Sequence, residues 1–138
     1  MDATSIVQFG PEFYVGVGEI DDQHQRLFDI VAKIQHALLG DPEATLATAT
    51  EAVTELLDYT RYHFSHEEAL MAAAAYPGLA EHQRLHQSLL AQVNDMELRV
   101  GLGDDSAALD LSVFLSHWLI NHIQAVDKKV GAFLQSHS

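Results

Sequence analysis

Five histidines and two carboxylates recur in this chain at helical spacings: His24, His63 with Glu67, His82 with His86, and His122 with Asp127. Imidazole and carboxylate together suit iron, manganese or zinc. The chain has no cysteine, so thiolate ligation, disulfides and thiol nucleophiles are all excluded. Seven donors are too many for one ion, so the count suggests a dinuclear metal site. Residues four apart on a helix share a face and lie about 6 Å apart along it. His63 and Glu67 can therefore reach one metal pair, and so can His82 and His86.

These pairs fall at the core-facing edge of apolar stripes, flanked by Tyr59 and Leu70 in one case and by Leu85 and Leu89 in the other. Burying imidazole or carboxylate there costs several kcal/mol unless something compensates, and metal coordination would. His24 stands alone, one turn before Leu27 and Phe28, and draws its weight from the other donors. His122 and Asp127 are five apart, which separates them by about 140° on a regular helix. Either a π-bulge between them restores a common direction, or Asp127 is a surface residue paired with Lys128 or solvent. Of the remaining histidines, His36 and His66 fall on polar faces and His137 in the terminal tail. His117 either reaches the outer ring of the site or faces solvent.

Four helices are needed to present these donors, and the hydrophobic pattern supplies them. Residues 1 to about 18 hold Gly10, Pro11, Gly16 and Gly18 among Phe9, Phe13 and Tyr14, which reads as an arm packed on the domain. A first helix is expected from about Asp21, with Ile20, Leu27, Phe28, Ile30, Val31, Ile34 and Leu38 as its stripe and Gly40 as its end. Asp41-Pro42-Glu43 reads as an N-cap, a proline at the first helical position and a first-turn acid. The second helix then runs from Pro42 toward Tyr76, either unbroken or interrupted before its end, and stops at Pro77-Gly78. A third covers about Leu79 to Val100, closed by Gly101-Leu102-Gly103. Asp104 or Asp105 caps a fourth that reaches about Leu134. Short connections make consecutive helices antiparallel neighbours. The fold class is all-α: an up-down-up-down antiparallel four-helix bundle over 19–138, with an N-terminal arm over 1–18.

Composition narrows the partners. The 138 residues fit one domain, and 48% hydrophobic content is enough for its core. A net charge of −13 repels phosphates, which argues against nucleic acid and against an anionic membrane surface. No apolar run reaches the roughly 20 residues of a membrane span. The N-terminal residues lack the basic and apolar regions of a secretory signal, so a soluble, cytoplasmic protein is expected.

The chain resembles the hemerythrins, in particular the single-domain bacterial ones. The likeness rests on Ile20-Asp21-Asp22-Gln23-His24, His63-Phe64-Ser65-His66-Glu67-Glu68, Tyr76-Pro77 and His82-Gln83-Arg84-Leu85-His86. It continues through Trp118-Leu119-Ile120-Asn121-His122-Ile123 and Asp127-Lys128-Lys129, so it covers about Phe9 to Leu134. The spacing of His122 and Asp127 is also that of the family. Two positions depart: Phe9 lies near a common tryptophan, and Val130 stands where a tyrosine is common. Neither is a ligand position.

The resemblance implies two irons joined by an oxo or hydroxo bridge. His82, His86 and His122 would bind one, His24 and His63 the other, and Glu67 and Asp127 would bridge both. That set fills all but one position on two octahedral ions, and the open one lies on the iron with two histidines. Dioxygen is the implied ligand, taken up reversibly for storage, delivery or buffering, with a protein recipient as a further partner. Leu119, three residues before His122, matches an apolar lid over the ligand pocket. A monomeric carrier, not an enzyme, is expected. The competing functions are an oxygen- or redox-sensing partner module and a diiron enzyme acting on peroxide or nitric oxide. Glu68 is the nearest extra acid or base, and its place beside Glu67 suggests that it points away from the site.

Overall fold

The computed structural model describes residues 9–37, 46–102 and 105–136. Helix α1 spans Gly18–Gln35, α2 Leu46–Ala73, α3 Leu79–Gly101 and α4 Asp105–Asn121. A π-helical stretch, His122–Asp127, continues α4 without a break into α5, Lys128–Ser136. Together these three segments form the fourth rod of an antiparallel bundle. Helix α1 packs on α2, α2 on α3, α3 on α4, and α4 closes back on α1. The expected all-α bundle is therefore present. Among the described residues no helix is long and apolar enough to cross a membrane.

The apolar stripes meet as their spacing requires. Ile20, Leu27, Phe28, Ile30, Val31 and Ile34 of α1 are buried against Val53, Leu56, Leu57 and Phe64 of α2 and Leu111, Leu115 and Leu119 of α4. On α3, Leu89 and Val93 are buried, whereas Leu85 is 44% exposed. Leu85 therefore does not flank the His82–His86 pair from the core side. One polar bridge crosses the lower core, where Gln35 donates to the hydroxyls of Ser112 (3.1 Å) and Ser116 (2.8 Å).

The first helix begins earlier than expected, at Gly18 rather than near Asp21. Asp21 is already inside it, and its carboxylate accepts the amide N–H of Val15 at 2.8 Å. That bond turns the preceding chain back over the bundle. Pro11–Phe13 forms a 3-10 turn, and Phe13 and Val15 are buried in the core. Phe9 packs edge-on against Phe28, with ring centroids 5.2 Å apart, so this departure from the family pattern still has an aromatic role. The chain passes close over α5 at Gly131, where a β-carbon would lie 2.1 Å from the carbonyl oxygen of Val15. Val130 is fully buried. Gly40, the Asp41-Pro42-Glu43 cap, Gly103, Asp104 and His137 lie outside the described residues.

Helix α2 ends before the expected Tyr76. The amide of Ala75 bonds to the carbonyl of Ala72 (3.1 Å) and that of Tyr76 to Met71 (2.9 Å), the paired bonds of a Schellman stop. Such a stop puts its penultimate residue in the left-handed region, and Ala75 has φ +56°. A β-carbon there is strained by about 1–2 kcal/mol. Ala75→Gly is expected to raise stability by up to about 1 kcal/mol, because the relieved strain exceeds the freedom that glycine adds to the unfolded chain. A higher urea midpoint with an unchanged slope is the expected result; a lower midpoint would contradict it.

Candidate metal centre

Each of the four rods brings donors to one buried point. Helix α1 supplies His24, α2 His63 and Glu67, α3 His82 and His86, and the π-helical stretch His122 and Asp127. All seven are buried, from 0% exposure at His24 and Glu67 to 8% at His122. The extra residue per turn between His122 and Asp127 brings both side chains inward, with His122 Nε2 3.1 Å from Asp127 Oδ1. Asp127 thus has no surface role with Lys128 or solvent.

The donor atoms form two groups that share both carboxylates. Glu67, His82, His86, His122 and Asp127 make one group; His24, His63, Glu67 and Asp127 make the other. Within each group one donor atom per residue lies within 4.8 Å of all the others. Glu67 Oε1 lies 2.7 Å from His82 Nε2 and 3.4 Å from His86 Nε2, and its Oε2 lies 3.7 Å from His63 Nε2. Asp127 Oδ2 lies 3.0 Å from His24 Nε2, and its Oδ1 also faces His82 at 3.4 Å. Each carboxylate therefore presents one oxygen to each group.

Several of these inward atoms have no hydrogen-bond partner: His24 Nε2, His86 Nε2, His122 Nε2, Glu67 Oε2 and Asp127 Oδ1. Unpaired buried polar atoms are costly, and five pointing at one centre call for cations. Nitrogen and oxygen donors without sulfur fit iron, and the shared carboxylates fit a pair of ions.

The outer nitrogens of two rings are held from neighbouring helices. His63 Nδ1 donates to Gln23 Oε1 of α1 at 2.6 Å. His86 Nδ1 donates to Glu68 Oε2 of α2 at 2.7 Å, and Glu68 Oε1 accepts from Gln83 of α3 at 3.1 Å. Such bonds orient a ring and raise its basicity. Glu68 points away from the inward atoms, as expected, but toward His86. Sequence reasoning missed Gln23, Gln83 and this use of Glu68. Gln23 and Glu68 each adjoin a donor in sequence, yet each serves a histidine on the next helix, so only packing reveals the pairing.

Leu119 is fully buried, one turn before His122. Phe64 lies flat against His86, with centroids 3.5 Å apart and planes 2° apart. His36 and His117 are exposed, and His66 is partly exposed and pairs with Glu19 at 3.1 Å.

Comparison with known proteins places this arrangement. Residues 15–134 match the family model of the hemerythrin HHE cation binding domain. The chain belongs to the hemerythrin family. It is 33% identical over 123 residues to a bacteriohemerythrin of Stenotrophomonas maltophilia, covering 89% of this chain and 78% of the relative. It is 32% identical over 125 residues to that of Methylococcus capsulatus, covering 91% and 93%. A crystal structure of wild-type hemerythrin superposes with a TM-score of 0.81 at 31% identity, over 94% of this chain and 98% of that one.

Titration in the metal-free protein follows from the same geometry. Burial, helped by the neighbouring His24, lowers His63 from 6.5 to about 4. Burial opposes charge at His82, but the facing carboxylates of Asp127 and Glu67 prevail and raise it from 6.5 to about 9. Burial also works against the charged forms of Glu67 and Asp127, yet imidazole partners hold both below their usual range. His63 binds its proton more weakly folded than unfolded, so stability falls as pH drops below about 6.5, and the carboxylates add to the loss only below their own ordinary values of 4.5 and 3.8. His82 has the opposite sign: its contribution is complete below about 6.5 and is lost as pH rises through about 9. The metal-free protein is therefore expected to have its highest Tm near pH 6.5. His82→Gln should flatten the alkaline limb, and a Tm that rises steadily to pH 9 in the unsubstituted chain would contradict the assignment.

Proposed function

We propose that this chain binds dioxygen reversibly at a non-haem pair of iron ions, for storage, delivery or buffering of oxygen. The observation that carries the reading is the convergence of two donor groups on a shared pair of carboxylates. His82, His86 and His122 would hold one iron, His24 and His63 the other, and Glu67 and Asp127 would join them. Bound iron supplies the electrons on which reversible dioxygen binding draws.

The protein's own residues set the conditions. The two carboxylates offset cationic charge that burial would otherwise make costly. Gln23 and Glu68 hold His63 and His86 at fixed angles. Leu119 and Phe64 keep the interior apolar, so that water and protons reach a bound ligand slowly. Glu68 is occupied by His86 and Gln83, which favours binding over turnover. A monomeric, cytoplasmic protein that passes oxygen to a protein recipient, with no nucleic-acid or membrane partner, fits the net charge of −13. The unit proposed to carry this function is the bundle expected over 19–138 together with the arm expected over 1–18.

Iron-loaded, reduced protein exposed to air should develop a visible charge-transfer band that disappears on deoxygenation and returns over repeated cycles. Irreversible oxidation in the first cycle would reject the carrier reading. His82→Ala and His122→Ala should each hold fewer irons per chain than wild type, and unchanged stoichiometry in both would reject the ligand assignment. Glu68→Gln should weaken metal retention about 10- to 100-fold in a chelator competition while the helical signal is kept. Wild-type retention would show that the bond to His86 does not matter to the metal.

A further inference from the structure

The five buried imidazoles are not equally enclosed. His24, His63 and His86 are at most 2% exposed, whereas His122 is 8% exposed. His122 forms part of the wall of a surface cleft of about 460 Å³ between α3 and the fourth rod. Leu85, Leu89, Phe114 and Trp118 supply much of the rest, with His117 at the same wall. Among the described residues no Asp, Glu, Lys or Arg lines this cleft, although the chain carries a net charge of −13. It is an uncharged window in an acidic protein.

Trp118 is the only tryptophan of the chain. Its ring stacks on His122, with centroids 5.8 Å apart and planes 29° apart. Phe64 sits 6.1 Å from Trp118 and flat on His86. A contact path of conjugated rings thus leads from the cleft through Trp118 and His122 to Asp127, 3.1 Å beyond. Binding of a gas has no need of such a path. Electron transfer does, because tunnelling falls steeply with every ångström of gap.

The geometry points to this cleft as the electron port of the centre, with Trp118 as the contact between an external one-electron carrier and His122. The inference rests on the diiron reading, since a centre that loses its electrons must be re-reduced before it binds dioxygen again. Charge defines the carrier. A net charge of −13 attracts a basic protein from a distance. The uncharged lining then lets an apolar cofactor edge approach without burying an unpaired charge. A basic haem protein with lysines around an exposed haem edge has that chemistry. Each encounter moves one electron from a ferrous haem to a ferric ion of the centre, leaving the haem ferric. No covalent bond forms or breaks, and two encounters restore the ferrous pair.

The same path serves in reverse, which gives a direct readout. Iron-loaded ferrous protein is mixed anaerobically with ferricytochrome c, and the haem absorption is followed by stopped flow. Trp118→Leu should slow haem reduction at least tenfold. His117→Lys places a positive charge on the cleft wall and should slow it several-fold at low salt, with the gap closing as ionic strength rises. Leu98→Lys makes a comparable charge change at a residue that is 60% exposed and outside the cleft lining, and should stay within twofold of wild type. Should Trp118→Leu fail to fold, the contrast between the two lysine variants decides. Equal rates in wild type, Trp118→Leu and His117→Lys would overturn the port even if the protein holds two irons and cycles dioxygen. A chain that takes up no iron would overturn the diiron reading and the port with it.

Discussion

The structure turns on two carboxylates, Glu67 and Asp127, held side by side in a core with almost no solvent contact. Like charges at that separation repel strongly where the dielectric is low. Five imidazoles around them soften the repulsion, and their inward nitrogens add to the demand for a cation. An apolar bundle does not gather such a set for stability, since hydrophobic residues of similar volume would do as well or better. The cluster makes sense only if something positive binds there, and the rest of the bundle keeps its members in place.

That demand explains the irregular backbone. A regular helix would turn Asp127 about 140° away from His122 and leave one group without its shared oxygen. The π-helical stretch adds one residue to the turn and recovers the alignment. Its backbone bonding is less favourable than an α-helix, and its buried residues, His122, Ile123 and Asp127, hold it in the core. The arm bears on the same segment, because the Pro11–Phe13 turn packs against it.

The two halves of the centre differ in their surroundings. One holds His86, with a carboxylate behind it; the other holds His63, with a neutral amide behind it. A carboxylate draws more proton density from the ring and makes it the stronger donor. The halves differ in access too, since His122 meets the surface through Trp118 while His24 is fully enclosed. One scaffold thus separates a sealed side from a side with a connection to the exterior.

Much of this was legible in the chain before folding was considered. Period-3.6 stripes of apolar residues fixed four helices, and i, i+4 spacing put His63 with Glu67 and His82 with His86, because these depend on local geometry alone. Even the five-residue gap at Asp127 announced a π turn as one of two readings. Helix geometry alone could not choose between those readings, and it was the family resemblance that assigned Asp127 to the metal; nor could the sequence start α1 at Gly18, since that outcome depends on what packs against the segment. Leu85 looked like core by spacing but stands at the edge of an open cleft. Which oxygen of Glu67 faces which imidazole, and that Glu68 braces a histidine on the next helix, were decided only by how the four rods dock. Contacts within a helix follow from its pitch, whereas contacts between helices follow from crossing geometry that no single segment encodes.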